Sequence, residues 1–319
     1  MGLQLSDRTK RWTILGPSTV LPRPLRVAVR RRLLESLELQ RARDARLIII
    51  GHPKSGNTWL RSMLSRLYQV RFGMPSDFTV KTDELALRHP LAPRLLASNG
   101  WYTYEGILGE ALDESAPDSE IRRKPVVFLA RHPCDIAVSW YHQFTRRQSA
   151  YKRELINACL ERPIDPRNVG MWEFVRHSEI GLPMLIDFLN SWERKVSALP
   201  KGLVVRYEDL RTDPAPELRR VTQLMGEEFS DKELAGAAEW ASFENLSKLE
   251  LAGYFRSGGI QKKATDASTR KVRRGVVGGY HDDFDAAQVA ELDALVAERL
   301  SPSFGYGKPR DSAAPRPPA

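Results

Sequence analysis

The succession of apolar runs predicts a three-layer α/β/α protein with a central parallel sheet, and three observations carry that prediction. Residues 47–51 form an apolar run ending in glycine, followed by a polar turn and then by Trp59, Leu60, Met63, Leu64, Leu67 and Tyr68 at helical spacing. Residues 126–130 are all apolar, the pattern of a strand buried on both faces. Amphipathic segments separate these runs from a further apolar run at 203–207, and strands joined through helices make parallel crossover connections.

Taken in order, residues 1–45 form a basic extension. Pro17, Pro22 and Pro24 punctuate its start, and residues 25–43 read as a helix with Leu33, Leu34 and Leu37 as an apolar stripe among Arg26, Arg30, Arg31 and Arg32. Such a helix suits either an anionic membrane surface or a place on the protein body with its arginines solvated, and the second reading is preferred. After the opening strand, turn and helix, residues 78–80 are a short strand candidate, and Pro90 and Pro93 interrupt the segment behind it. The aromatic segment 101–106, ending in Gly106, predicts the second strand of the sheet. Residues 113–124 read as a charged connection to the strand at 126–130. Asp135 is then expected to cap a helix that carries Ile136, Trp140, Tyr141 and Phe144 on one face. One or two helices are expected within 172–199, then the strand 203–207 and helices near 216–225, 231–250 and 283–299. Residues 253–282, dense in Gly, Ser, Lys and Arg, have the length of a functional or disordered loop. The compact domain is expected to span 46–305, with a disordered Pro/Ala-rich tail over 306–319.

Composition narrows the partners without choosing one. The chain of 319 residues carries a net charge of +9, and its pI near 9.6 points to an anionic partner: nucleic acid, a membrane surface or an anionic cofactor. Arginine dominates the basic residues, and guanidinium suits forked contacts to phosphate. Cys134 and Cys159 are too few for a disulfide framework and are read as reduced thiols. No apolar run has the length of a membrane span and no signal-peptide core opens the chain, so a soluble, cytoplasmic protein is expected. The first six residues match a myristoylation pattern, set aside because the arginine bias suggests a bacterial source.

The turn at 52–58, His52-Pro53-Lys54-Ser55-Gly56-Asn57-Thr58, has the small and polar residues that let backbone N–H groups converge on an anion at a helix N-terminus. Gly51 and Gly56 have the glycine spacing of a nucleoside triphosphatase loop, but Asn57 stands where the lysine of that loop belongs and the only lysine, Lys54, comes three residues earlier. At the end of the strand 126–130 stands Arg131, where a triphosphatase places a metal-binding aspartate. Ser139 follows eight residues later, within reach of the same phosphate as the arginine.

These residues resemble the sulfotransferases that use 3′-phosphoadenosine 5′-phosphosulfate (PAPS), in a bacterial-type version. The segment PKSGNTW at 53–59 resembles the family's 5′-phosphosulfate loop, and 126–139 its 3′-phosphate motif. KVRRGVVGGY at 271–280 resembles its third element, R-[KR]-G-x-x-G-x-[WY]. The resemblance implies a P-loop-like nucleotide-binding architecture and PAPS as co-substrate, with 3′-phosphoadenosine 5′-phosphate (PAP) as product and no metal. It implies cofactor contacts from Lys54, Ser55, Gly56, Asn57 and Thr58 at the 5′ end. Arg131, Ser139, Arg273, Arg274 and Gly275 would hold the 3′-phosphate, and Trp59, Tyr207 and Phe243 the adenine. Ala241 replaces a threonine usual in the family.

The implied reaction is in-line transfer of a sulfonate to an acceptor hydroxyl, with Lys54 stabilising the departing phosphate oxygen. Cytosolic members place a catalytic histidine shortly after a strand. The equivalent segment is expected at 103–106, where Tyr104 takes the histidine's place and Glu105 is the candidate base, with Asp83 and His142 as rivals. A small-molecule, lipid or carbohydrate hydroxyl is the expected acceptor, with peripheral membrane contact through residues 1–45 and no nucleic acid. Phe78, Trp101, Tyr102 and Trp172 would suit an apolar one. The competing readings are a P-loop kinase or triphosphatase and a non-enzymatic basic protein that binds nucleic acid, the latter resting on charge and on the loop near Arg273.

Overall fold

A computed structural model describes residues 7–78, 84–100, 106–255 and 276–306. The chain opens with helix α1 (Asp7–Leu15) and the long α2 (Arg23–Asp44). Strand β1 (Leu47–Ile50) leads through the polar turn into α3 (Asn57–Arg71). A short α4 (Glu84–Arg88) precedes β2 (Leu95–Ser98), and α5 (Gly106–Ala111) lies before β3 (Val126–Ala130). Then come α6 (Pro133–His142), α7 (Ala150–Asn157), α8 (Met171–Arg176) and α9 (Leu182–Ser197), followed by β4 (Gly202–Arg206). Helices α10 (Tyr207–Thr212), α11 (Pro214–Leu224), α12 (Asp231–Trp240), α13 (Phe243–Leu251) and α14 (Ala286–Arg299) complete the described chain.

The four strands are parallel in the order β2-β1-β3-β4. Alternation along each strand sends side chains to opposite faces, which explains why the central strands β1 and β3 are apolar throughout. Ile48, Ile50, Val126, Phe128 and Ala130 enter one core with Ile136 of α6, Phe188 and Trp192 of α9, and Leu292 of α14. Leu47, Ile49, Val127, Leu129 and Val205 enter the other with Leu60 and Leu64 of α3, Val221 of α11 and Leu234 of α12. Two cores on two faces of one sheet make the three layers predicted from the sequence.

The structure adds one strand and corrects three local expectations. The strand beside β1 is 95–98, in a segment assigned no strand; the strand candidate 101–106 lies outside the described residues except for Gly106, which opens α5. Pro93, read as a breaker, stands just ahead of this strand, and the ladder begins where Arg46 N–H donates to the Arg94 carbonyl at 2.9 Å. Tyr207 begins α10 instead of ending β4. His132 occupies the N-cap position of α6, with Pro133 as its first residue, and the Asp135 side chain is turned toward residues 278–280 instead of capping the helix. Helix α2 packs on the body as expected, but its arginines are not all solvated. Arg26 and Arg30 both pair with Glu154 of α7, Arg30 also donates to Ser18 Oγ at 2.8 Å, and Arg41 pairs with Glu38 within the helix. Of the strand candidate at 78–80, Phe78 is buried and the rest lies outside the described residues, as do residues 307–319 of the expected tail.

Candidate functional site

The parallel strands bring the C-terminal ends of β1, β3 and β4 together, the place where open α/β sheets bind ligands. The turn after β1 is shaped by two glycines. Gly56 has φ +102°, and a Cβ there would stand 2.7 Å from the Tyr207 ring, so the position needs glycine for conformation and for space. A Cβ on Gly51 would meet Asn57 Oδ1 at 2.8 Å and the Leu129 carbonyl at 2.9 Å. Asn57, the first residue of α3, folds its side chain back so that Nδ2 donates to the Gly51 carbonyl at 2.9 Å. Its amide thus braces the turn, and its backbone N–H is one of the α3 groups left for an anion.

Ser55 is fully buried in this turn, and its Oγ has no hydrogen-bond partner among the described residues. A buried hydroxyl normally finds a partner, so this orphaned donor in a cradle of N–H groups fits a phosphate oxygen. Thr58 is half-buried at the start of α3. Arg61 lies against the same first turn, donating to the Asn57 carbonyl at 3.0 Å and to Thr58 Oγ1 at 3.5 Å. Burial moves the Arg61 guanidinium down to about 10, with Glu84 opposing the shift and Arg41 adding to it. Lys54 is half-buried at the mouth of the turn. His52, fully buried, meets Trp140 and Phe188 edge-on at 5.3 and 5.9 Å. Burial, with Lys54 adding to it, pushes its imidazole down to about 3, so it is neutral at physiological pH.

Arg131 joins the turn to the C-terminal part of the chain. It donates from Nη1 to the Lys54 carbonyl at 3.2 Å and from Nη2 to the Val276 carbonyl at 3.2 Å, while its guanidinium lies 4.5 Å over the Tyr207 ring. Its buried Nε has no hydrogen-bond partner among the described residues. Tyr207 in turn meets Trp59 edge-on at 5.6 Å, and burial raises its hydroxyl above the ordinary phenol range. Trp59 Nε1 donates to the Ala241 carbonyl at 2.7 Å, placing α3 against the segment where Phe243 opens α13, half-buried. Lys54, Ser55, Gly56, Asn57, Thr58, Trp59, Arg131 and Tyr207 are therefore gathered around one turn. Ser139 lies farther along α6, partly exposed.

Glu105, Asp83, Arg273, Arg274 and Gly275 lie outside the described residues. The rival base His142 is buried at the last position of α6, with its ring against Tyr141 at 5.3 Å. Two acidic residues at this end of the sheet were given no site role from the sequence. Asp135 accepts from the Gly278 and Tyr280 N–H groups at 2.9 and 3.2 Å. Glu208 accepts from the His132 N–H at 2.9 Å and from the Tyr306 hydroxyl at 2.5 Å. Their position just after β3 and β4 is the sequence signal that could have marked them.

A family model described as "Sulfotransferase domain" matches residues 113–304. Cytosolic sulfotransferase 13 of Arabidopsis thaliana is 26% identical over 281 residues, covering 81% of this chain and 78% of the relative. Flavonol 3-sulfotransferase of Flaveria bidentis is 24% identical over 269 residues, covering 80% and 81%. The crystal structure of mouse sulfotransferase SULT7A1 complexed with PAP superposes with a TM-score of 0.52 at 19% identity, covering 79% of this chain and 83% of that one. With the domain model matched over more than half of the chain, the chain belongs to the PAPS-dependent sulfotransferase family.

Proposed function

We infer that this protein transfers a sulfonate group from PAPS to a hydroxyl of a small-molecule acceptor. The observation that carries the reading is Arg131, which ties the lysine-bearing turn to Val276, the residue directly after Gly275 within the Arg/Gly motif. PAPS supplies the activated sulfonate and a phosphate leaving group. Ser55, Gly56, Asn57 and Thr58 are assigned to its 5′-phosphate, the orphaned Ser55 hydroxyl being the strongest support. Arg131, Ser139, Arg273, Arg274 and Gly275 are assigned to the 3′-phosphate, and Trp59, Tyr207 and Phe243 to the adenine. Lys54 donates to the oxygen on which charge builds as the sulfonate leaves, the type of stabilisation that carries most of the rate in such transfers.

Glu105 is the assigned base that takes the proton from the acceptor hydroxyl. The neutral His52, weakly basic at about 3, does not compete for that role. Glu105→Gln is expected to lower kcat at least about a hundredfold with the melting temperature unchanged, in the range ordinary for general-base loss. Near wild-type turnover would remove Glu105 from the mechanism.

A flavonol-directed relative and the aromatic residues at 101–102 support an apolar or aromatic acceptor. The cytosolic name of another relative supports a cytoplasmic setting, and among the described residues no helix is long and apolar enough to cross a membrane. Exposed Trp12, Val20, Leu25 and Leu33, set among arginines, support weak peripheral contact with an anionic membrane surface.

The decisive test is a thermal-shift titration. PAP is expected to raise the melting temperature without added metal, the binding linkage adding about 3–4 kcal/mol of stability at 100- to 1,000-fold excess over Kd. Stabilisation by ATP only in the presence of Mg²⁺ would overturn the assignment in favour of a P-loop kinase or triphosphatase.

A further inference from the structure

The Asp135 carboxylate is 2% exposed and stands on the first turn of α6, where the helix dipole favours an anion. Its two oxygens have different partners. Oδ2 accepts from the Gly278 N–H at 2.9 Å and lies 3.5 Å from Arg131 Nη2, while Oδ1 accepts from the Tyr280 N–H at 3.2 Å. The backbone can offer both N–H groups because Gly278 has φ +75°, a conformation that other side chains adopt only under strain. The same Arg131 holds the Val276 carbonyl, so arginine and aspartate, four residues apart, together grip the chain from 276 to 280. Tyr280 is fixed a second time, by its hydroxyl to Asp293 at 2.5 Å and by stacking on His132 at 5.2 Å.

We propose that Asp135 is a positioning residue for the 3′-phosphate: it sets the register of the chain that follows Arg273, Arg274 and Gly275 and fixes the guanidinium of Arg131. The proposal rests on the assignment of those residues to the 3′-phosphate. A carboxylate close to an anion site repels the anion, but here its charge is offset by the guanidinium at 3.5 Å and by two N–H donors. Asp135 therefore acts through other groups and need not touch the nucleotide.

The test compares PAP with adenosine 5′-monophosphate, which shares the adenosine and 5′-phosphate but lacks the 3′-phosphate. Asp135→Asn and Asp135→Ala are each expected to weaken PAP binding about tenfold or more, the scale of one lost charge-assisted hydrogen bond, with the monophosphate changed less than about threefold. In turnover, KM for PAPS rises while kcat at saturating PAPS is largely kept. Gly278→Ala, which leaves the carboxylate intact but strains the turn, is expected to give the same selective loss. This second variant keeps the proposal testable if the Asp135 variants misfold. Equal weakening of both nucleotides would mean that Asp135 only supports the fold, and unchanged or tighter PAP binding would mean that repulsion outweighs positioning; either overturns the proposal. A wild-type protein that does not prefer PAP to the monophosphate would instead overturn the 3′-phosphate assignment, and the proposal with it.

Discussion

At the scale of single residues, the turn after β1 depends on what is missing as much as on what is present. Gly56 lacks a Cβ that would collide with Tyr207 at 2.7 Å, and its φ of +102° lies where side chains cost energy. Gly56→Ala is therefore expected to destabilise the fold by about 1–3 kcal/mol, read from chemical denaturation, and to weaken PAP binding at least about tenfold. A variant with wild-type stability and affinity would show that the turn relaxes freely. Asn57 shows how far a residue's role was legible in advance. Its place in the motif marked it as a cofactor contact, yet its side chain turns inward to Gly51, a choice made by the space between β1 and Leu129. Asp135 was legible as a helix-start residue, and only the approach of residues 278–280 from far along the chain shows what its carboxylate holds.

At the scale of elements, the turn after β1 opens with a histidine that the fold has buried completely. His52 has a depressed folded-state pKa of about 3 against an ordinary value of 6.5. The unfolded chain thus binds the extra proton first as pH falls. Stability from this group is complete above about pH 6.5 and is lost progressively toward pH 3, at no more than about 1.4 kcal/mol per pH unit. His52→Gln, which cannot titrate, is expected to flatten the dependence of melting temperature on pH between about 6 and 4. An unchanged profile would mean that other groups carry the acid sensitivity. The strands themselves were unevenly legible. The runs at 47–51 and 126–130 were clear because both faces of a central strand are buried, so the apolar signal is continuous. The edge strand β2 was not, because LLAS is short and includes small and polar residues, and the aromatic segment after it drew the assignment. Asn99 therefore follows that strand directly, and Glu105 stands beyond it.

At the scale of the whole molecule, the net charge of +9 spreads over surfaces with different work. Arginines of the N-terminal helices are partly consumed by the body: Arg26 and Arg30 by Glu154, Arg31 by the Leu155 carbonyl. With fewer cations left beside exposed Trp12 and Leu25, the proposed membrane contact is expected to be weak and salt-sensitive. Sedimentation with vesicles containing phosphatidylserine is expected to carry down a fraction of the protein at low salt and little at about 0.5 M salt, where the Debye length falls below roughly 5 Å. No association at low salt would limit α1 and α2 to a structural role. Trp12→Ala is expected to reduce the bound fraction without changing turnover.

Apolar periodicity, the glycine spacing and the order of three motifs by themselves determined the three-layer architecture, the family and most of the residues around the turn. Each of these is a local property, set by which side chains a strand or helix must bury and by which backbone conformation a turn requires. Only the tertiary structure decided which residues hold the site together. Arg131 reaching both Lys54 and Val276, Tyr207 filling the space above Gly56, and Asp135 gripping residues 278–280 are contacts between segments far apart in sequence. Their partners are fixed by how the sheet stacks the strand ends, and no pattern within a single segment records that.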